Sequence, residues 1–73
     1  MLKEEAIKRV NGLEIGVDTD FRLGLATRTV CKLKEDRFEI NDFVDGWSTT
    51  AVNKETIISI LCGEKSLLDL DWK

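Results

Sequence analysis

The chain has 73 residues, of which 42% are hydrophobic and 34% charged, with eleven basic and fourteen acidic side chains and a net charge of −3. That composition specifies a folded domain and not a disordered chain. The interspersed cations argue against a protein held to nucleic acid by bulk charge, which needs concentrated Lys and Arg. A chain this short buries only about 60% of the surface its unfolded form exposes, so one helical layer on one sheet is the expected limit. A single domain spanning 1–73 follows.

Residues 2–10 are predicted to form a helix, with Leu2, Ala6, Ile7 and Val10 on one face at helical spacing. Glu4 with Lys8 and Glu5 with Arg9 are i,i+4 pairs in the favourable order. Asn11-Gly12 reads as the stop, with glycine taking the left-handed conformation. Leu13, Ile15 and Val17 then alternate with Glu14, Gly16 and Asp18, the pattern of a half-buried strand over 13–18. Asp18-Thr19-Asp20 is read as the start of a turn.

A second strand is expected over 23–34, with Leu23, Leu25, Thr27, Thr29, Cys31 and Leu33 inward and Gly24, Ala26, Arg28, Val30, Lys32 and Lys34 outward. Lys34-Glu35-Asp36-Arg37 forms the next turn, and a third strand carries Phe38, Ile40 and Val44 inward. Across that turn Leu33 would meet Phe38, Cys31 would meet Ile40, and Lys32 would meet Glu39 on the outer face. Asp45-Gly46 reads as a two-residue hairpin turn, pairing Val44 with Trp47 and Ile40 with Ala51. Asn53 is a cap for a helix over 54–62, with Val52 and Ile57 placed as a hydrophobic staple, Ile57, Ile58, Ile60 and Leu61 as the buried stripe, and Gly63 at its end.

The predicted fold is therefore α+β: a four-stranded antiparallel meander with N- and C-terminal helices on one face, in the order αββββα. Both helices should cover Leu13, Ile15, Val17, Leu25, Cys31, Leu33, Phe38, Ile40 and Trp47. The tail over 66–72 admits an edge strand or a single helical turn capped by Ser66 and Asp69.

The chain contains no histidine and no tyrosine, so the commonest general base and metal ligand is missing. Cys31 and Cys62 are read as small buried hydrophobes, since two cysteines without histidine cannot complete a tetrahedral zinc site in one chain. Asp18-Thr19-Asp20 starts like a calcium loop, but Arg22 and Leu23 occupy the places that need an oxygen ligand and a glycine. No glycine-rich run precedes a helix in the manner of a phosphate-binding loop. No enzymatic activity and no cofactor are expected.

Function is then expected to lie in surface. The leading expectation is a non-catalytic protein-binding module: a small regulator, an inhibitor of the kind encoded by phages and mobile elements, or an assembly subunit. Its partner would be another protein or a second copy of the chain. The expected contacts are Arg28, Val30, Lys32 and Phe43 on the outer sheet face, and Leu70 and Trp72 in the tail. The alternative is a nucleic-acid binder that uses Arg28, Lys32, Lys34 and Arg37 as a basic strand face, hemmed by Glu14, Glu35, Asp36 and Glu39. Leu67-Leu68-Asp69-Leu70-Asp71 is similar, over five residues, to the short clathrin-binding box of endocytic adaptors. Such boxes work from disordered segments, whereas these leucines lie beside a helix and are expected to pack on it. No apolar run approaches the roughly 20 residues of a membrane helix. Met1-Leu2-Lys3-Glu4-Glu5 places acids where a signal peptide would be apolar, so the expected compartment is the cytoplasm.

Overall fold

A computed structural model describes residues 1–23, 26–42 and 48–70. Helix α1 (Lys3–Asn11) is followed by strands β1 (Asp18–Leu23), β2 (Ala26–Lys34), β3 (Arg37–Asp42) and β4 (Ser48–Val52). Helix α2 (Lys54–Leu61) and a 3₁₀ turn (Leu67–Asp69) complete the chain order. The strands form one antiparallel sheet in the order β1-β2-β3-β4. This is the α+β meander with flanking helices that the sequence predicts.

Helix α1 buries Ala6 and Val10, whereas Leu2 and Ile7 remain exposed. Arg9 does not pair along the helix; its guanidinium lies 4.3 Å from the centre of the Phe21 ring and caps the core from outside. The helix ends without a left-handed glycine, because Gly12 has φ −85° and its N–H donates to Lys8 and Arg9 carbonyls. Gly63, which closes α2, does take the left-handed conformation at φ 87°.

The cap of α2 is as expected: the Asn53 side chain accepts from the Thr56 N–H at 2.8 Å, and Val52 and Ile57 are both buried around it. Asp36 adds a second acceptor, taking the Lys54 N–H at 2.9 Å. Asn53→Ala is expected to lower stability by about 1 kcal/mol, read from urea denaturation, with α2 retained. An unchanged midpoint would show that Asp36 suffices as the cap.

Strand β1 departs from the sequence reading. Residues 13–17 form no strand, apart from a bridge between Ile15 and Lys32. Gly16 turns the chain there at φ 82°, its N–H donating to the Lys32 carbonyl at 2.9 Å. Asp18-Thr19-Asp20, expected as a turn, opens β1 instead. An edge strand tolerates such residues because its outer side meets water.

The β2–β3 hairpin explains the largest difference. Lys34 pairs with Arg37, so the predicted turn at Glu35-Asp36 forms. A bulge between Lys32 and Lys34 then inserts Leu33, and from there Lys32 pairs with Phe38, Cys31 with Glu39 and Val30 with Ile40. One extra residue reverses which face each β2 side chain takes. Val30 becomes fully buried, while Leu33 is 40% exposed. The β3–β4 ladder is also shifted by one from the predicted register, with Ile40 opposite Thr50 and Phe38 opposite Val52. Thr50 and Val52 therefore face the core, and Ala51 is exposed. The Asp45-Gly46 turn, Leu25 and Trp47 lie outside the described residues.

The core joins Phe21, Val30, Phe38, Ile40 and Val52 of the sheet to Ala6, Val10, Ile57, Ile60 and Leu61 of the helices. Of the face predicted to be covered, Phe38 and Ile40 are in this core and Leu13 packs against it. Ile15, Val17 and Leu33 are exposed, and Cys31 lies half-buried on the other side of the sheet. No helix of the structure is long and apolar enough to cross a membrane, among the described residues.

Candidate functional site

Both helices pack on one side of the sheet, and among the described residues no helix covers the other side; at its β4 end Glu39, Thr49 and Ala51 share a hollow with Lys65, Asp69 and Leu70 of the tail. The ladders place Asp18, Asp20 and Arg22 of β1 on this open face, with Thr27, Thr29 and Cys31 of β2, Glu39 and Asn41 of β3, and Thr49 and Ala51 of β4. The alternate residues Phe21, Val30, Ile40, Thr50 and Val52 are the buried ones, which fixes the parity.

Two rows cross the sheet on this face. In the first, Thr29 donates its hydroxyl to Asp20 at 3.0 Å, and Thr49 donates to the side-chain oxygen of Asn41 and to the Ile40 carbonyl. Asn41 is 7% exposed, held between the Thr29 and Thr49 strands. These bonds lock short side chains flat against the sheet. Little rotamer freedom remains to be lost when a partner covers them.

The second row is Asp18, Cys31, Glu39 and Ala51. Desolvation, and then the Asp18 carboxylate as hydrogen-bond partner and as charge, push the Cys31 thiol above its ordinary pKa, with Glu39 adding to the effect. A thiol held protonated is a poor nucleophile at neutral pH. Alkylation of Cys31 by iodoacetamide at pH 8 is expected to be slower than for a free thiol and to accelerate in Asp18→Asn, followed by mass spectrometry. Equal rates in the two proteins would show that Asp18 does not hold the thiol. The folded-state pKa is the raised one, so this group's contribution to stability is present below the unfolded thiol's pKa. It is lost as pH rises from there through the folded value.

The open face therefore carries Asp18, Asp20 and Glu39 towards β1 and the centre, with Arg22 and Arg37 at opposite ends. It is not the basic face expected from the sequence. Arg28 and Lys32 lie on the helix side. The Arg28 guanidinium donates to Asp42 at 3.3 and 3.4 Å, both side chains largely shielded, and the Lys32 ammonium is 3.4 Å from Glu35. Val30 is wholly enclosed and offers no contact surface. Lys34 and Arg37 are exposed beside the β2–β3 turn. The bulge at Leu33 is the physical reason for all three misplacements, because it inverts β2.

Among the tail residues, Leu70 is half-buried and packs with Leu67 against the core, while Leu68 is 91% exposed. Ser66 and Asp69 form the predicted capping box around the 3₁₀ turn, so the leucines of the clathrin-box-like segment sit on ordered backbone and two of them face inward. Phe43 and Trp72 lie outside the described residues. Cys62 ends α2 and donates to the Ser59 carbonyl, and both cysteines are unpaired. No three His, Cys, Asp or Glu side chains converge as metal ligands among the described residues.

The residues of this face that the sequence reading did not take as contacts are Asp18, Asp20, Glu39, Asn41 and Thr49. The alternation of Asp18, Asp20 and Arg22 with Thr19, Phe21 and Leu23 is a period-two signal over 18–23 that could have revealed β1. Comparison with protein-family models, curated proteins and solved structures returns no match.

Proposed function

We propose that this chain is a non-catalytic protein-binding module, a small regulator, inhibitor or assembly subunit, that acts through the open face of its sheet. One observation carries the reading: the helices cover a single face, leaving on the other a row of short, hydrogen-bonded side chains, Asp20, Thr29, Asn41 and Thr49, that crosses all four strands. Such a row suits docking, in that its short side chains are held by hydrogen bonds before contact, while the longer Arg22, Arg37 and Glu39 stand around it. Its carboxylates Asp18, Asp20 and Glu39, together with the net charge of −3, favour a partner with a basic surface. The cytoplasm is the compartment we propose, where the unpaired Cys31 and Cys62 would stay reduced.

The test is affinity capture from the source cell with the wild-type chain, Ala51→Arg and Lys8→Glu, each checked for folding by circular dichroism. Ala51 is exposed on the open face and Lys8 is exposed on α1. Capture of a specific protein that Ala51→Arg abolishes and Lys8→Glu leaves intact is the expected result. Capture that is indifferent to Ala51→Arg, or no specific capture, would overturn the reading.

A further inference from the structure

The two edges of the sheet are unlike. Strand β4 (Ser48–Val52) has no charged residue, whereas β1 carries Asp18, Asp20 and Arg22 on the open face. Beyond its ladder with β2, β1 makes no backbone hydrogen bond among the described residues. In an antiparallel edge strand, alternate N–H and C=O groups point away from the sheet and await a neighbour. On the helix side the same strand borders a hollow of about 320 Å³ lined by Arg9, Leu13, Glu14, Val17, Thr19 and Phe21. Val17 is 47% exposed there, an aliphatic side chain with room beside it.

We propose that β1 is a strand-addition site for an extended, basic segment of a partner protein. The segment pairs antiparallel with Asp18–Leu23 as a fifth strand. Its period-two alternation puts lysine or arginine opposite Asp18 and Asp20 on the open face and aliphatic side chains towards the hollow on the other. Arg22, two residues on, selects an acidic or neutral residue at the matching place and so sets the direction. The hollow's lining sets Arg9, stacked on Phe21, against Glu14, so its one cation and one carboxylate offset each other and Leu13 and Val17 favour an aliphatic side chain there. The charges of this edge thus specify the complement that can pair with it: cations opposite Asp18 and Asp20, and none opposite Arg22. The inference rests on the protein-binding reading and adds the chemistry and the binding mode of the partner.

The probe is the blocked synthetic peptide Glu-Val-Lys-Val-Lys, titrated into the full ¹⁵N-labelled chain at low salt. The expected dissociation constant is of order 1 mM, as suits five residues. Amide shifts should centre on Asp18–Phe21 and Val17, with slowed hydrogen exchange in β1. Two N-methylated versions, blocked at alternate amides, should differ by at least about tenfold, because only one set of amides faces the edge. Asp18→Asn combined with Asp20→Asn should weaken binding by about tenfold, and the charge-reversed peptide Lys-Val-Glu-Val-Glu should not bind. If both N-methylated peptides bind alike, or the shifts centre on Asn41 and Thr49, strand addition is wrong and face docking stands. No shift at several millimolar peptide, while lysate capture still depends on Ala51, likewise removes strand addition alone. Loss of Ala51-dependent capture removes the protein-binding reading itself.

Discussion

Phe38→Ala is expected to remove most of the stability of the domain. The ring is fully buried on the helix side of β3, in the core cluster that also holds Val52, Ile57 and Leu61. Truncating a buried phenylalanine costs about 3–5 kcal/mol, from lost transfer energy and from the cavity left behind. A domain of this size has on the order of 5 kcal/mol in total. Urea denaturation followed by circular dichroism should show the midpoint falling close to zero denaturant. Leu68→Ala, at a side chain that is 91% exposed, should stay within about 0.5 kcal/mol of wild type. A modest loss for Phe38→Ala, comparable to Leu68→Ala, would mean that the core is not centred where the structure has it.

The second large effect tests the bulge. Val30→Asp places a carboxylate on a fully buried strand position opposite Ile40, where the flanking cations Arg28 and Lys32 are already engaged by Asp42 and Glu35. Burying an uncompensated charge is among the few changes that cost several kcal/mol, so the variant is expected not to fold. Leu33→Asp, at the 40% exposed bulge position, should fold with nearly wild-type stability. Without the bulge the outcomes would exchange, because Leu33 would be inside and Val30 outside. The pair of far-ultraviolet spectra therefore decides between the two registers in a way that neither spectrum does alone.

The open face could be read only in part from the sequence. Glu39 and Asn41 are on the outer side of β3 in both the predicted and the observed arrangement, since Phe38 and Ile40 mark the inner side unambiguously. The partners that surround them were misassigned. Thr29, Cys31 and Ala51 look like inner residues if the hairpins are taken as regular. They are outer residues once the bulge and the β3–β4 register are in place. Asp18 and Asp20 resemble turn formers, and only their pairing with Cys31 and Thr29 makes them part of a sheet.

Local chemistry sufficed for what depends on neighbours in the chain. Apolar spacing and caps located α1 and α2, the Asn53 cap and the Gly63 stop; turn chemistry located the Glu35-Asp36 hairpin; and the order of these signals determined an α+β meander with helices at both ends. The ladder registers were decided by tertiary structure. In β2 the alternation of Thr27, Thr29, Cys31 and Leu33 with Arg28, Val30 and Lys32 gives no decisive apolar side, so period two leaves two answers of similar local merit. Packing chose between them: it enclosed Val30 opposite Ile40, left the Arg28–Asp42 pair largely shielded on the same side of the sheet, and let a single bulged residue, Leu33, take up the difference. The free face of the sheet, and with it the surface available for function, follows from that one choice of parity.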